Sequence, residues 1–183
     1  TPLHAMMAAR AQVLTSPGID VLRALVTQAD ASHLRTFPLA RQVGALYGGV
    51  MADMRQREFA AARQHLARLQ GVSGLELGAL RVVRLLAAEL ALSSGDATQA
   101  VSLLEPKSTS LPRQDRASRM QLARSRVATQ KPAQGKLAAS ELALWLNEHP
   151  RDASAWLLLA SAYEAQGDAL RAIRAQAEAR AME

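Results

Sequence analysis

Residues 152–180 read DASAWLLLASAYEAQGDALRAIRAQAEAR. A Trp is followed seven residues later by a Tyr, then by Gly-Asp, then by an Ala-rich run. Two helices joined by a tight turn account for this order, with Gly167-Asp168 as the break. The phrase is not unique. Gly167-Asp168 precedes Ala172 as Gly95-Asp96 precedes Ala100, and weaker versions place Arg57-Glu58 before Ala62 and Ala133 before Ala138. Ala62, Ala100, Ala138 and Ala172 are thus spaced by 38, 38 and 34 residues, and a further step back reaches Ala24. A period of this length is the mark of a helical repeat.

Breaks fall at Ser16-Pro17-Gly18, near Pro38, at Gln56-Arg57, at 71–74, at Gly95-Asp96, at 106–112, at Lys131-Pro132, at His149-Pro150 and at Gly167-Asp168. They predict ten helices paired into five hairpins. Leu85, Ala88 and Leu92, and likewise Leu137, Leu142 and Trp145, recur at helical spacing. One hairpin cannot cover its own apolar face, but stacking on a neighbour can. The expected fold is therefore all-α, a right-handed superhelical solenoid of about five hairpins. Its expected units are a degenerate first hairpin at 1–36 and repeats at 37–72, 73–112, 113–150 and 151–183.

Composition agrees with helix. The chain has 183 residues, 49% of them hydrophobic but only 3% aromatic, so apolar content comes from Ala and Leu rather than from strand-forming residues. Cysteine is absent, which excludes disulfides and thiolate metal sites. No apolar run approaches the roughly 20 residues that a membrane span needs. The chain opens on Thr1 without Met, and its last helical pattern runs into Glu183. The expectation is a fragment of a longer protein.

Trp156, Leu159, Ala160, Tyr163, Ala172 and Ala179 resemble the tetratricopeptide repeat, and Pro150 matches the proline that closes a preceding unit. By that resemblance, Ala160 and Ala172 let two helices approach while Trp156 and Tyr163 fill the space between them. Gln176 departs from the pattern, standing where a large apolar residue is usual; Ser125-Arg126 departs where Leu-Gly or Leu-Ala is usual. A longer set of phrases, HAMMAARAQVLTSPG, LYGGVMADMRQREFAAARQHLARL, LLAAELALSSGD and AWLLLASAYEAQGDALRAIRAQAEAR, resembles the C-terminal repeat region of BepA-like bacterial periplasmic zinc metalloproteases. The resemblance implies a periplasmic location, and an HExxH peptidase domain elsewhere in the parent protein that would carry zinc. It implies partners of protein or extended-polypeptide nature, including the parent's own peptidase domain. Tyr47, Met51, Met54, Glu89, Met120 and Glu164 would fall on or near a concave groove. Flexible Met suits a surface that accepts varied apolar segments, although Met at helical spacing is as readily core.

The residues themselves carry no catalytic signature. His4, His33, His65 and His149 are never followed by Glu, and no two are four apart, so an HExxH zinc site is missing from this chain. Each histidine reads as a surface or boundary residue. No GxSxG or P-loop is present, so the chain is expected to be neither an enzyme nor a holder of a cofactor. Charge is uneven: residues 107–136 hold eight Lys and Arg against Asp115, in a chain of net charge +6. Arg116, Arg119 and Arg126 lie near one helix stripe and could form a basic face for an anionic partner, or a solvated face. No aromatics interleave with them, which argues against nucleic acid.

The function expected is a non-catalytic interaction domain that holds substrate or outer-membrane assembly partners near a peptidase. The alternatives are a stand-alone repeat scaffold and a regulator that uses the basic face.

Overall fold

In a computed structural model of the chain, residues 1–15, 18–105 and 115–182 are described, and they are helical with no strand among them. Ten α-helices follow one another: α1 (Pro2–Thr15), α2 (Ile19–Asp30), α3 (Leu39–Gln56), α4 (Phe59–Gln70), α5 (Leu77–Ser93), α6 (Ala97–Leu104), α7 (Arg116–Ala128), α8 (Pro132–Glu148), α9 (Ala153–Glu164) and α10 (Ala169–Arg180). One 3-10 turn, Leu34–Thr36, precedes α3. The breaks expected at Ser16-Pro17 and at 106–112 lie outside the described residues.

The recurrent turn has one backbone design. Arg57, Gly95, Gln130 and Gly167 have φ of 63°, 88°, 54° and 78°, the left-handed conformation that ends a helix. The next residue, Glu58, Asp96, Lys131 or Asp168, caps the helix that follows. Asp96 and Asp168 do so with their side chains, accepting from the N–H of Gln99 and Arg171 at 2.8 and 3.1 Å. At Arg57 and Gly167 two further bonds close a Schellman motif. Glu58 N–H reaches Asp53 O at 2.9 Å and Asp168 N–H reaches Tyr163 O at 3.0 Å. The periodic alanines Ala62, Ala100, Ala138 and Ala172 are buried on the helix after the turn, whereas Ala24, one step earlier, is exposed on α2.

The chain divides into two compact units, Thr1–Ser94 and Gly95–Glu183. In the first, α3 is the central element, with α1, α2 and α4 packed on it. Val43 and every residue from Leu46 to Asp53 are buried, so α3 is enclosed on most of its circumference. Glycines make room for this. A Cβ on Gly49 would lie 2.5 Å from Ala29 Cβ, one on Gly44 3.1 Å from Ala5 Cβ, and one on Gly48 3.2 Å from Leu25 Cδ2. Met6, Val13, Leu25, Leu34, Leu69 and Leu86 complete the core.

In the second unit, α7 to α10 pack in sequence. Their core is built from small and medium residues: Ala123, Ala138, Ala139, Leu142, Leu146, Ala155, Leu159, Ala160, Ala162 and Ala175. Trp156 and Tyr163 were expected to fill the space between helices, but they are only partly buried against this cluster. The Trp156 indole N–H instead donates to Pro150 O at 2.8 Å. The core beneath them is already closed by alanines, which leaves the large rings at its edge. Ser125-Arg126, the departure from the repeat pattern, is fully enclosed. Ser125 Oγ donates to Gln121 O at 2.8 Å, and Arg126 reaches two carboxylates.

Candidate functional site

Three of the residues expected on a groove converge in the first unit, Tyr47 and Met51 inside it and Glu89 half-buried at its edge. Tyr47 is 1% exposed and Met51 is 3% exposed. They are therefore core residues of α3, not a presented surface, because α3 is surrounded by its neighbours. What gathers them is Arg10 on α1. Its Nη1 donates to Tyr47 Oη at 3.1 Å and to Glu89 Oε2 at 2.8 Å, and lies 3.7 Å from Met51 Sδ. Its Nη2 donates to Glu89 Oε1 at 3.3 Å, giving the fork geometry that only a guanidinium supplies. The Glu89 contact raises the guanidinium's proton affinity, and burial raises the Tyr47 phenol above its ordinary range. The cluster ties α1, α3 and α5 together, and both of its charges are already spent on each other. Arg10 has no motif around it, so the sequence offered no sign of this role.

The remaining groove residues are dispersed. Met54 is half-buried on α3. Met120 packs against the core of the second unit. Glu164 is exposed, and its Oε1 accepts from Gln176 Nε2 at 2.9 Å, which explains why a polar residue serves at 176.

The basic face is not an open array. Arg116 Nε and Nη2 both donate to Asp152 at 2.7 Å. Arg126 is buried, with Nη1 at 2.6 Å from Glu141 Oε1 and Nη2 at 3.5 Å from Glu105 Oε1. The Glu141 contact is an ion pair without hydrogen-bond alignment, since Nε and Nη1 make no hydrogen bond among the described residues. The guanidinium of Arg119 sits 5.6 Å from the Trp145 ring centroid. Of the basic segment, Lys107 and Arg113 lie outside the described residues.

His65 corrects the reading of the histidines as surface or boundary residues. It is 3% exposed on α4, held between two carboxylates. Nδ1 lies 2.7 Å from Asp53 Oδ2 and Nε2 lies 2.9 Å from Asp30 Oδ1. An Asp–His pair can orient a general base, but a base needs its second nitrogen facing a substrate or nucleophile. Here that nitrogen faces the Asp30 carboxylate instead, at 2.9 Å. No group of three or more His, Asp or Glu among the described residues is placed to hold a metal ion.

Among the clefts of the described residues, two have aromatic side chains and arginines together in their lining and lie between packed helices. One, of about 530 Å³, lies among α1, α2 and α3. Its walls are small (Ala5, Ala8, Ala9, Gly44, Ala45), and Phe37, His33 and Arg41 stand in its lining. Arg41 lies over the Phe37 ring at 3.8 Å, and His33 meets it edge-on at 5.1 Å. The other, of about 280 Å³, lies among α8, α9 and α10, lined by Leu146, Trp156, Leu159 and Tyr163 with Arg171 and Arg174. Neither lining contains a carboxylate. Among the described residues, no helix is long and apolar enough to cross a membrane. No family model and no curated protein matches the chain.

Proposed function

We propose that this chain is a non-catalytic protein-binding domain, built as a tetratricopeptide-like array, that serves a periplasmic zinc metalloprotease. It holds extended or partly folded polypeptide, or outer-membrane assembly partners, near the peptidase domain, where zinc would reside. Tethering of this kind raises effective concentration without new contacts at the catalytic centre. The observation that carries the reading is the pair of clefts: each unit offers a recess that combines apolar and aromatic side chains with at least one arginine and has no carboxylate in its lining. Such a recess suits an apolar segment with acidic neighbours, because the apolar floor supplies affinity and the charge steers approach. The repeated turn and buried alanine support the array reading.

The test is titration calorimetry of the chain with unfolded outer-membrane protein segments. Phe37→Ala and Trp156→Ala should each weaken binding, with the loss persisting at high salt. Unchanged binding in both, with loss on Arg116→Glu and Arg119→Glu, would overturn the cleft reading and favour the basic face.

A further inference from the structure

We propose that Asp30, His65 and Asp53 form a proton-dependent latch, which fastens the C-terminal end of α2 to α4 when the cluster holds two protons and releases it when it holds one. The argument is a proton count. His65 makes two contacts of hydrogen-bond length, to Asp53 on α3 and to Asp30, the last residue of α2. Each contact needs one proton between nitrogen and oxygen. A neutral imidazole carries only one N–H, so the second proton sits on the ring or on a carboxyl. Remove it, and one nitrogen lone pair faces one carboxylate lone pair.

The contact that gives way is decided by solvent. The Asp53 side chain is 3% exposed, whereas that of Asp30 is 61% exposed and can return to water. An ionised Asp53 without its partner would be a buried bare charge, the costlier outcome. Burial also pushes the Asp53 carboxyl above its ordinary range, so the inner contact keeps its proton longer. The other charges at the cluster are Arg68, whose Nη1 lies 3.5 Å from Asp30 Oδ1, and Glu58 at the start of α4. Arg68 adds a second, solvent-exposed contact to Asp30. Glu58 acts on Asp53, in the same direction as burial.

The latch has a consequence for shape. Thr27, Gln28, Ala31, His33 and Leu34, on either side of Asp30, line the cleft among α1, α2 and α3. Release of α2's end loosens that wall. The device is independent of what the cleft binds.

Amide hydrogen exchange on the intact chain tests this, measured over roughly pH 5 to 9, where imidazoles in proteins titrate, and corrected for intrinsic rates. His65 is followed in parallel by the nitrogen shift of Nε2. Protection of residues 27–34 should fall by about tenfold as His65 loses its proton, the size expected for one charge-assisted hydrogen bond. Asp30→Asn should remove the step while leaving the chain folded. Its oxygen accepts from Nε2–H, and its amide donates to a bare Nε2, so the contact survives at both ends of the range. Asp30→Ala should show low protection throughout. Arg68→Gln and His33→Gln should keep the step. Absence of a step coincident with His65, its persistence in Asp30→Asn, or its loss in His33→Gln would each overturn the latch.

Discussion

Asp152 joins three helices through one carboxylate. Oδ1 accepts from Arg116 Nη2 at 2.7 Å and from the Ala155 N–H at 3.2 Å; Oδ2 accepts from Arg116 Nε at 2.7 Å and from Trp145 Nε1 at 3.0 Å. The Arg116 hydrogen bonds, more than any other contact, hold its pKa down at about 2. A folded-state pKa below the unfolded value gives stability that is present above the unfolded value near 4. That stability is lost as pH falls through the folded one. The side chain is largely buried, so the contribution is about 2 kcal/mol at neutral pH. Urea unfolding of wild type should therefore weaken between about pH 4 and pH 2. Asp152→Asn should start about 2 kcal/mol lower and lose much of that slope. A second prediction belongs to Tyr47. Truncating Tyr47 and Met51 would damage the core, so it cannot test a binding surface. Tyr47→Phe should cost about 1 kcal/mol by removing the acceptor for Arg10, and Tyr47→Ala about 3–5 kcal/mol by opening a cavity. Equal losses for the two would mean that ring burial is not what holds α3.

Between helices, the sharpest constraint is the contact of α2 with α3. Gly49→Ala places a methyl 2.5 Å from Ala29 Cβ, closer than carbon atoms tolerate, so one helix must shift. The expected cost is about 1–3 kcal/mol, the range for overpacking. The double change Gly49→Ala with Ala29→Gly should recover part of it; additive losses by chemical denaturation would refute the contact. The turn between α3 and α4 allows the opposite experiment. Arg57 holds a left-handed conformation at a position where Gly is usual, so Arg57→Gly should stabilise the chain by about 0.5–1 kcal/mol. The element level is where the sequence was most legible. Gly-Asp phrases marked real turns because Gly adopts the left-handed conformation and Asp caps the next helix. Four of the alanines at the repeat period are buried, whereas Ala24 is exposed, so the period marked the core from the second hairpin onward. The glycines of α3 stood in plain view in LYGGVMADM, but periodicity alone does not say which backbone approaches a glycine.

For the whole molecule, the helical class followed from composition and breaks, while the polar clusters did not. Arg10 with Glu89, and Asp30 with His65 and Asp53, join residues 79, 35 and 12 positions apart. No local spacing rule links such pairs. Met51 and Tyr47 were legible as important, but core and groove stayed equally open for them, since periodicity does not say which sides of a helix its neighbours cover. Each unit has its own buried core. Residues 1–94 expressed alone should thus keep helical circular dichroism and melt cooperatively. A featureless spectrum would show that this core is insufficient by itself.

The placement of the two tryptophans governs how unfolding is observed. Trp145 and Trp156 are both in the second unit; the first unit has only Tyr47, Phe37 and Phe59 as aromatic reporters. Indole emission, excited at the red edge of absorption, follows residues 95–183 alone, whereas the backbone signal sums both units. Denaturation curves from the two probes will coincide only if the units melt together. Where they separate, the gap measures the difference in stability between the units, and it is not evidence for a partly folded intermediate within either of them.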